Sequence, residues 1–356
     1  MGGNVVQVIQ RLIPGGIETL ALDLSARLPG DNRVLSLEWS RAQIIGNWPA
    51  LADSPVPFEG LEKPPGIRPG FVFTLARRLR ELKPRGVLAH HVGPLLYGGL
   101  AARLAGVPRF VYVEHDVWHY QNANHRRLAG LAARLVRPHI VAVSHNVAQT
   151  VREVMPGCPV DVIPNAVDTT RFVPGDKEAA RARLGLPAQA RIVGAAGRLE
   201  PVKGQDVLVQ AMTQVPDALL VLIGKGSEQE ALEAETARLG LSDRVRFLGH
   251  RSDMPELYPA FDLVCLPSRN EGLPLSVLEA QACGIPVVAT DVGSVREGIC
   301  PDTGCVVPPE DPQAMAEAIT RMLARPPGGD PRAFVLSHYS WARMVAGYEA
   351  LLGEAP

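Results

Sequence analysis

The sequence predicts an α/β protein of two doubly wound parallel-sheet domains in tandem, with a cleft between them as the natural ligand site. Three observations carry this expectation. The chain has 356 residues, which is long for a single hydrophobic core. Short β-rich runs alternate with helical patterns, and the alternation restarts after a stretch bearing Pro174 and Gly175. Hydrophobic residues make up 46% and charged residues 21%, enough to bury two cores in a soluble chain.

In the first half the runs at 5–10, 33–38, 87–90, 109–114 and 140–143 are strand-like, with helical patterns at 16–28, 72–82, 95–104, 125–136 and 146–154. A further strand at 160–163 leads into Pro-Asn-Ala-Val-Asp at 164–168, and the looser stretch after it reads as a linker. The second half repeats the pattern. Strands are expected at 191–196, 218–223, 245–248, 263–266 and 286–289, and helices at 204–214, 228–239, 253–260 and 275–283. The tail, 339–352, is an amphipathic helix with Trp341, Val345, Tyr348 and Leu352 at helical spacing.

The formal net charge of −1 argues against a dedicated nucleic-acid binder. Lys and Arg number 18 against 13 Asp and Glu through Thr170, and 18 against 24 after it. A basic first half suits an anionic acceptor or lipid surface, and ordinary scatter of surface charge explains the imbalance equally well. Arg77, Arg78, Arg80, Lys83 and Arg85 concentrate that charge, as a membrane-facing patch or simply a solvated helix face. Five cysteines without metal spacing suit a reducing compartment. No charged-then-apolar leader follows Met1 and no uncharged apolar run is long enough to span a bilayer. The expected location is cytoplasmic.

The segment from Glu271 to Glu279 carries the clearest chemistry. It follows an apolar strand, so Glu271 falls at the strand's carboxyl end, where open α/β sheets bind ligands. Gly272, Leu273, Pro274 and Leu275 turn the chain into a helix whose first amides can hold a diphosphate. Glu279 lies roughly 7 Å further along the helix axis, about the reach from a diphosphate to a ribose. A solvated helix glutamate would be the plainer account of Glu279 alone. Its neighbours shift the balance. Arg198 and Lys203 sit in a glycine-bearing loop after another strand, where cations at a helix start oppose the dipole unless an anion is present. Gly15 and Gly16 after the first strand permit close backbone approach to a ligand.

Several enzyme classes lack their motifs. No G-x-G-x-x-G opens a helix after a strand, no G-x4-G-K-[ST] is present, and no G-x-S-x-G elbow occurs. The absence of Asp-x-Asp fits a phosphate site neutralised by Arg and Lys, with no metal and no cofactor.

Taken together, P-G-G-I-E at 14–18, P-N-A-V-D at 164–168, G-R-L-E-P-V-K-G at 197–204, L-I-G-K-G-S at 222–227, F-L-G-H-R-S-D at 247–253, E-G-L-P-L-S-V-L-E at 271–279 and the run at 284–297 resemble the family-four retaining glycosyltransferases of GT-B fold. The resemblance implies two Rossmann-like domains facing each other across a cleft. Residues 1–168 would form the acceptor-side domain and 169–338 the donor-binding domain, with a helix at 339–356 packing back on the first. It implies that Arg198 and Lys203 grip the donor diphosphate, Glu271 meets the transferred sugar, and the amides of Gly272 to Leu275 meet phosphate. Glu279 would hold the ribose, Gly249, His250 and Arg251 would lie beside the base, and Gly16 beside the phosphates. His115 matches the first-domain histidine placed near the reacting sugar, with a plain loop histidine as the competing account. Ala166 replaces the usual glycine, and Lys225 the commoner acid, of the family pattern.

The implied activity is transfer of a hexosyl unit from a nucleotide-sugar, UDP-linked rather than GDP-linked, to a saccharide or glycolipid acceptor in surface polysaccharide or glycolipid synthesis. Acceptor contacts are expected around Trp118 to Arg127. The rivals are a sugar-nucleotide epimerase of the same plan and a catalytically degenerate binding module. Acceptor-independent interconversion would mark the first, and binding without turnover the second.

Overall fold

A computed structural model describes residues 3–325 and 328–353. Met1, where a leader would begin, and the last three positions of the expected helix at 339–356 lie outside the described residues. The chain divides into two compact units, one running to Asn165 and resuming at Ala342, the other spanning Ala166–Trp341.

The first unit contains β1 (Val5–Ile9), α1 (Gly16–Arg27), β2 (Arg33–Ser36), α2 (Arg41–Asn47), β3 (Phe58–Gly60), α3 (Phe71–Leu82), β4 (Gly86–His90), α4 (Val92–Ala105), β5 (Arg109–Glu114), α5 (Ala123–Val136), β6 (His139–Ala142), α6 (His145–Val154) and β7 (Val160–Val162). Its strands pair in the order β3-β2-β1-β4-β5-β6-β7, and every pairing is parallel. The second unit contains α7 (Lys177–Arg183), β8 (Arg191–Ala196), α8 (Gln205–Ala211), β9 (Ala218–Ile223), α9 (Gln229–Arg238), β10 (Val245–Phe247), α10 (Met254–Leu257), β11 (Leu263–Leu266), α11 (Leu275–Ala282), β12 (Val287–Thr290), α12 (Val295–Gly298), β13 (Gly304–Val307), α13 (Pro312–Ala324) and α14 (Pro331–His338). Its sheet, also parallel, runs β10-β9-β8-β11-β12-β13. The α/β class read from the alternation is the one observed.

Parallel strands covered by helices on both faces read as continuous apolar runs, because neither face meets water. The central strands β1, β4, β11 and β12 are buried at every position. In the second unit Met315 and Ile319 of α13 join Val193, Leu220, Leu263 and Val288 in one core. In each sheet the winding reverses beside the first strand, between β1 and β4 and between β8 and β11. That reversal opens a crevice at the strands' carboxyl ends.

The last helix, α15 (Trp341–Leu352), belongs from Ala342 onward to the first unit. The buried Arg85 guanidinium pairs with Glu349 and donates to the Gly353 carbonyl at 2.6 Å. Leu352 Cδ2 lies so close to Gly86 that a Cβ there would make the leucine tip shift, which marks how tightly the helix closes on β4.

The expected cationic patch on and after α3 is only partly available. Arg78 pairs with Glu59 and, at 2.8 Å, with Glu81, while Arg85 is buried under α15. Arg77, Arg80 and Lys83 are all exposed, and Arg80 donates to the Leu104 carbonyl at 2.8 Å. Among the described residues no helix is long and apolar enough to cross a membrane.

Five helices, α2, α7, α12, α13 and α14, and two edge strands, β3 and β13, were not foreseen. α13 and α14 each open on Asp-Pro, with Asp311 and Asp330 accepting from the amides of Ala314 and Ala333. That pairing of an N-cap acid with proline in the first turn was a readable start signal. α7 uses the same N-cap acid at Asp176, inside the stretch read as linker. β3 and β13 are three and four residues long, too short to show a period.

Candidate active site

The loop after β8 and the loop after β11 meet across the reversal point of the second sheet. Gly204, in the left-handed region at φ 63°, is the pivot of the first loop, where a Cβ would collide with the Pro267 carbonyl. The Arg269 guanidinium fastens the two loops. It pairs with Asp206 at 2.7 Å and with Glu310, and the Arg269 amide donates to the Val202 carbonyl at 2.8 Å. Lys203, in a short 3-10 turn, is thereby carried to Glu271, with Nζ 2.6 Å from Oε1. The Ser268 hydroxyl donates to the same oxygen at 2.6 Å. Gly293, at φ 53°, lies against the Glu271 backbone, where a Cβ would collide with the Glu271 carbonyl. Glu271 is thus fixed in backbone and side chain alike, and Lys203 and Glu271 are direct partners.

Helix α11 begins at Leu275 with Pro274 as its N-cap, and neither Gly272 nor Leu273 is helical. The helix's first amides have no carbonyl partner within the helix, so its start is an anion-binding end. Just over one turn in, Glu279 accepts from the Tyr258 hydroxyl at 2.9 Å. Burial raises the Glu279 carboxyl above the usual range, while the Tyr258 hydroxyl and the charge of Arg171 oppose the rise. Arg171 also donates to the Ser252 carbonyl at 3.2 Å, which ties this corner to the loop after β10. In that loop Gly249 is left-handed at φ 64° and its carbonyl accepts from the Gly224 amide at 2.9 Å. His250 is exposed and Arg251 pairs with Asp253 at 2.6 Å. Arg198 is exposed just past the end of β8, and its carbonyl accepts from Gln205 Nε2 at 2.9 Å.

The first unit holds the other two expected residues. Gly16 is in the first turn of α1, after β1. His115 directly follows β5 and is only 7% exposed, so it is no plain surface-loop histidine. Its Nε2 lies 2.8 Å from His90 Nδ1 at the end of β4, and His90 Nε2 lies 2.8 Å from Gln7 Oε1 in β1. This relay crosses three adjacent strands and can be read atom by atom. Gln7 Nε2 donates to the Ala21 carbonyl and to Ser25, so Gln7 Oε1 accepts from His90 Nε2–H. Burial, with the charge of His91 adding to it, lowers His90 to about 3, so that ring is neutral and Nδ1 accepts. His115 therefore donates from Nε2. Burial and the neighbouring His90 and His91 likewise hold His115 well below the usual histidine range. Its Nδ1 is left as a bare acceptor, buried and without a hydrogen-bond partner among the described residues.

Behind His115, Glu114 accepts from Tyr112 at 2.8 Å and from Tyr120, and burial raises its carboxyl to about 7. His119 pairs with Asp116 at 3.1 Å. Among the described residues no group of three or more His, Cys, Asp or Glu is placed to hold a metal ion.

Sequence reasoning missed Gln7, His90, Tyr258, Ser268 and Arg269. The two consecutive histidines His90-His91 at the end of an apolar strand were the one available signal.

Residues 14–171 match the family described as Glycosyltransferase Family 4, and residues 176–334 the family described as Glycosyl transferases group 1. The D-inositol 3-phosphate glycosyltransferase of Mycolicibacterium gilvum is 39% identical over 199 residues, covering 52% of this chain and 44% of that protein. Its counterpart in Mycobacteroides abscessus is 38% identical over 206 residues, covering 55% and 46%. The match thus spans less than half the length of these relatives. In fold, the chain is similar to Anabaena Alr3699/HepE, solved in complex with UDP and glucose, with a TM-score of 0.84 at 24% identity over 98% of this chain and 99% of that one. Sucrose-phosphate synthase of Thermosynechococcus elongatus gives 0.81 at 23% identity, covering 98% of each chain. With both halves matched and the whole fold shared, the chain belongs to the family-four glycosyltransferases of GT-B fold.

Proposed function

We propose that the protein is a retaining glycosyltransferase that moves a hexosyl unit from a nucleotide-sugar to a saccharide or lipid-linked acceptor, without a metal ion or other cofactor. The observation that carries the reading is the Lys203–Glu271 pair at the start of α11, across the reversal point of the second sheet. A cation, an anion and a helix N-terminus at one spot suit a ligand with a phosphate and sugar hydroxyls side by side. Lys203, Arg198 and the first amides of α11 bind the diphosphate and stabilise it as it leaves. Glu271 accepts from the sugar hydroxyls and Glu279 from the ribose. The bond from the anomeric carbon to the phosphate oxygen breaks as the acceptor oxygen bonds to the same face, and the departing phosphate takes the acceptor proton. Neutral His115, with Nδ1 as acceptor, orients a hydroxyl of the reacting sugar.

A UDP-linked donor is favoured over a GDP-linked one because the similar Anabaena protein was solved with UDP and glucose. The acceptor belongs on the first unit, near Trp118 to Arg127, in a surface polysaccharide or glycolipid pathway on the cytoplasmic side. The test is nucleotide release from UDP- and GDP-sugars with and without candidate acceptors, in the presence of a chelator. Release that requires an acceptor and survives chelation supports the reading. Interconversion of the donor without acceptor refutes it.

A further inference from the structure

Helix α5 carries an apolar stripe open to solvent. Ala129, Ala132 and Ala133 face the core, while Leu128, Leu131 and Leu135 are 40%, 55% and 47% exposed. Spacings of three and four residues put these leucines on one helix face. The stripe extends onto α4, where Leu104 is also exposed and where Arg103 donates to the Leu135 carbonyl at 3.2 Å. Trp118 is exposed in the short turn that precedes α5. A single exposed leucine needs no explanation, but a continuous row on one helix does.

The charge around the stripe has one sign. Neither α4 nor α5 contains an acidic residue, while Arg103, Arg126, Arg127, Arg134 and the capping Arg137 all lie on them. Arg127 and Arg134 run beside the leucines, each one position before one of them. The acids near this surface are engaged. Glu153 of α6 faces Arg126 at 3.9 Å, Asp116 binds His119, and Glu114 is buried among tyrosines.

We infer that α5 is a docking face for an anionic lipid surface, with Leu128, Leu131 and Leu135 entering the headgroup boundary and Arg127 and Arg134 meeting lipid phosphates. A helix of this length lies along such a boundary for about 21 Å, and long arginine side chains reach from it to the phosphates. A second copy of the chain fits the stripe poorly, because the two faces would bring like charges together. The face differs from the α3 patch expected from the sequence, and the inference does not rest on the transfer chemistry.

The experiment sediments the full chain with vesicles of phosphatidylcholine alone and of phosphatidylcholine mixed with phosphatidylglycerol. Wild type should bind the mixed vesicles, bind them less at raised salt, and leave the neutral ones unbound. Leu128→Gln/Leu131→Gln/Leu135→Gln and Arg127→Glu/Arg134→Glu should each weaken binding by about tenfold or more with Tm unchanged, since all five side chains are exposed. Absence of binding by wild type, or binding by both variants equal to that of wild type, overturns the inference. So does light scattering in which wild type dimerises and the leucine variant is monomeric, because a second copy then covers the stripe.

Discussion

Replacing Glu271 by Gln separates the two jobs proposed for the Lys203–Glu271 pair. In the free site Lys203 Nζ is 2.6 Å from a carboxylate whose side chain is 9% exposed, so its charge is already matched. A diphosphate bound at the start of α11 meets that cation and that anion together. Two unit charges about 7 Å apart in an effective dielectric of about 20 repel by roughly 2 kcal/mol, and solvent at this partly open site reduces it to about 1 kcal/mol. The amide of the Glu271→Gln variant would keep the shape and the Ser268 contact while removing the repulsion. Glu271→Gln should therefore bind free UDP about fivefold more tightly than wild type.

Turnover should move the other way. Hydrogen bonds from sugar hydroxyls to a charged acceptor contribute about 1.5–3 kcal/mol, so their loss lowers kcat roughly ten- to a hundredfold. Lys203→Ala, in contrast, should weaken UDP binding and turnover together. Titration calorimetry with UDP and steady-state rates on the three proteins give the comparison. Weaker UDP binding by Glu271→Gln than by wild type would refute the reasoning, because Glu271 would then act by holding Lys203 in place.

Three further outcomes follow from the geometry. Tyr258→Phe removes the hydroxyl that favours the ionised Glu279, so donor KM should rise about tenfold with kcat near wild type; an unchanged KM would take Glu279 out of donor binding. His115 is held neutral by burial, so the rate profile should show no limb of its making near the usual histidine value of about 6.5. His115→Gln should lower kcat across the whole range, and a limb that vanishes in this variant would contradict the bare-acceptor assignment. Glu114 keeps its proton to about 7 in the fold but ionises at ordinary carboxylate values when unfolded. Its contribution to stability is thus greatest at low pH and falls by about 3 kcal/mol as pH rises from about 4.5 to about 7. Glu114→Gln should flatten that stretch of the urea-midpoint profile, and a slope equal to wild type would count against the buried proton.

The loops after β8 and β11 stood out in the sequence as a candidate site because their residues contradict their local surroundings. Cations at a helix start are a poor choice for structure alone, and so they point to an anion, whereas Gly204 and Gly293 are also required by close backbone approach. Pairings were not legible. Gln7, His90 and His115 are neighbours only because β1, β4 and β5 are adjacent in the sheet, and no local pattern fixes which parallel strands meet. The same blindness hid the partners of two arginines on and after α3. A run of arginines looks free until Glu59 and Glu349, distant in sequence, come to meet two of them. Helices α13 and α14 are a different matter, since their Asp-Pro starts obey local rules and were available to be read.

The two reversal points carry opposite electrostatics, and on the proposed reading the contrast has a chemical reason. The crevice after β8 and β11 is ionic: Lys203 with Glu271, and Arg269 with Asp206 and Glu310. A leaving diphosphate gains charge as it departs, and fixed cations stabilise that change most strongly. The crevice after β1, β4 and β5 is neutral where it counts, since burial keeps His90 and His115 uncharged and the Gln7 relay leaves His115 Nδ1 with its lone pair free. A cation there would raise the energy of a sugar developing positive charge at its anomeric carbon, whereas a neutral acceptor can hold a hydroxyl without that penalty. The relay through Gln7 thus does in the first unit what Ser268 and Gly293 do for Glu271 in the second: it fixes the acceptor before the ligand arrives.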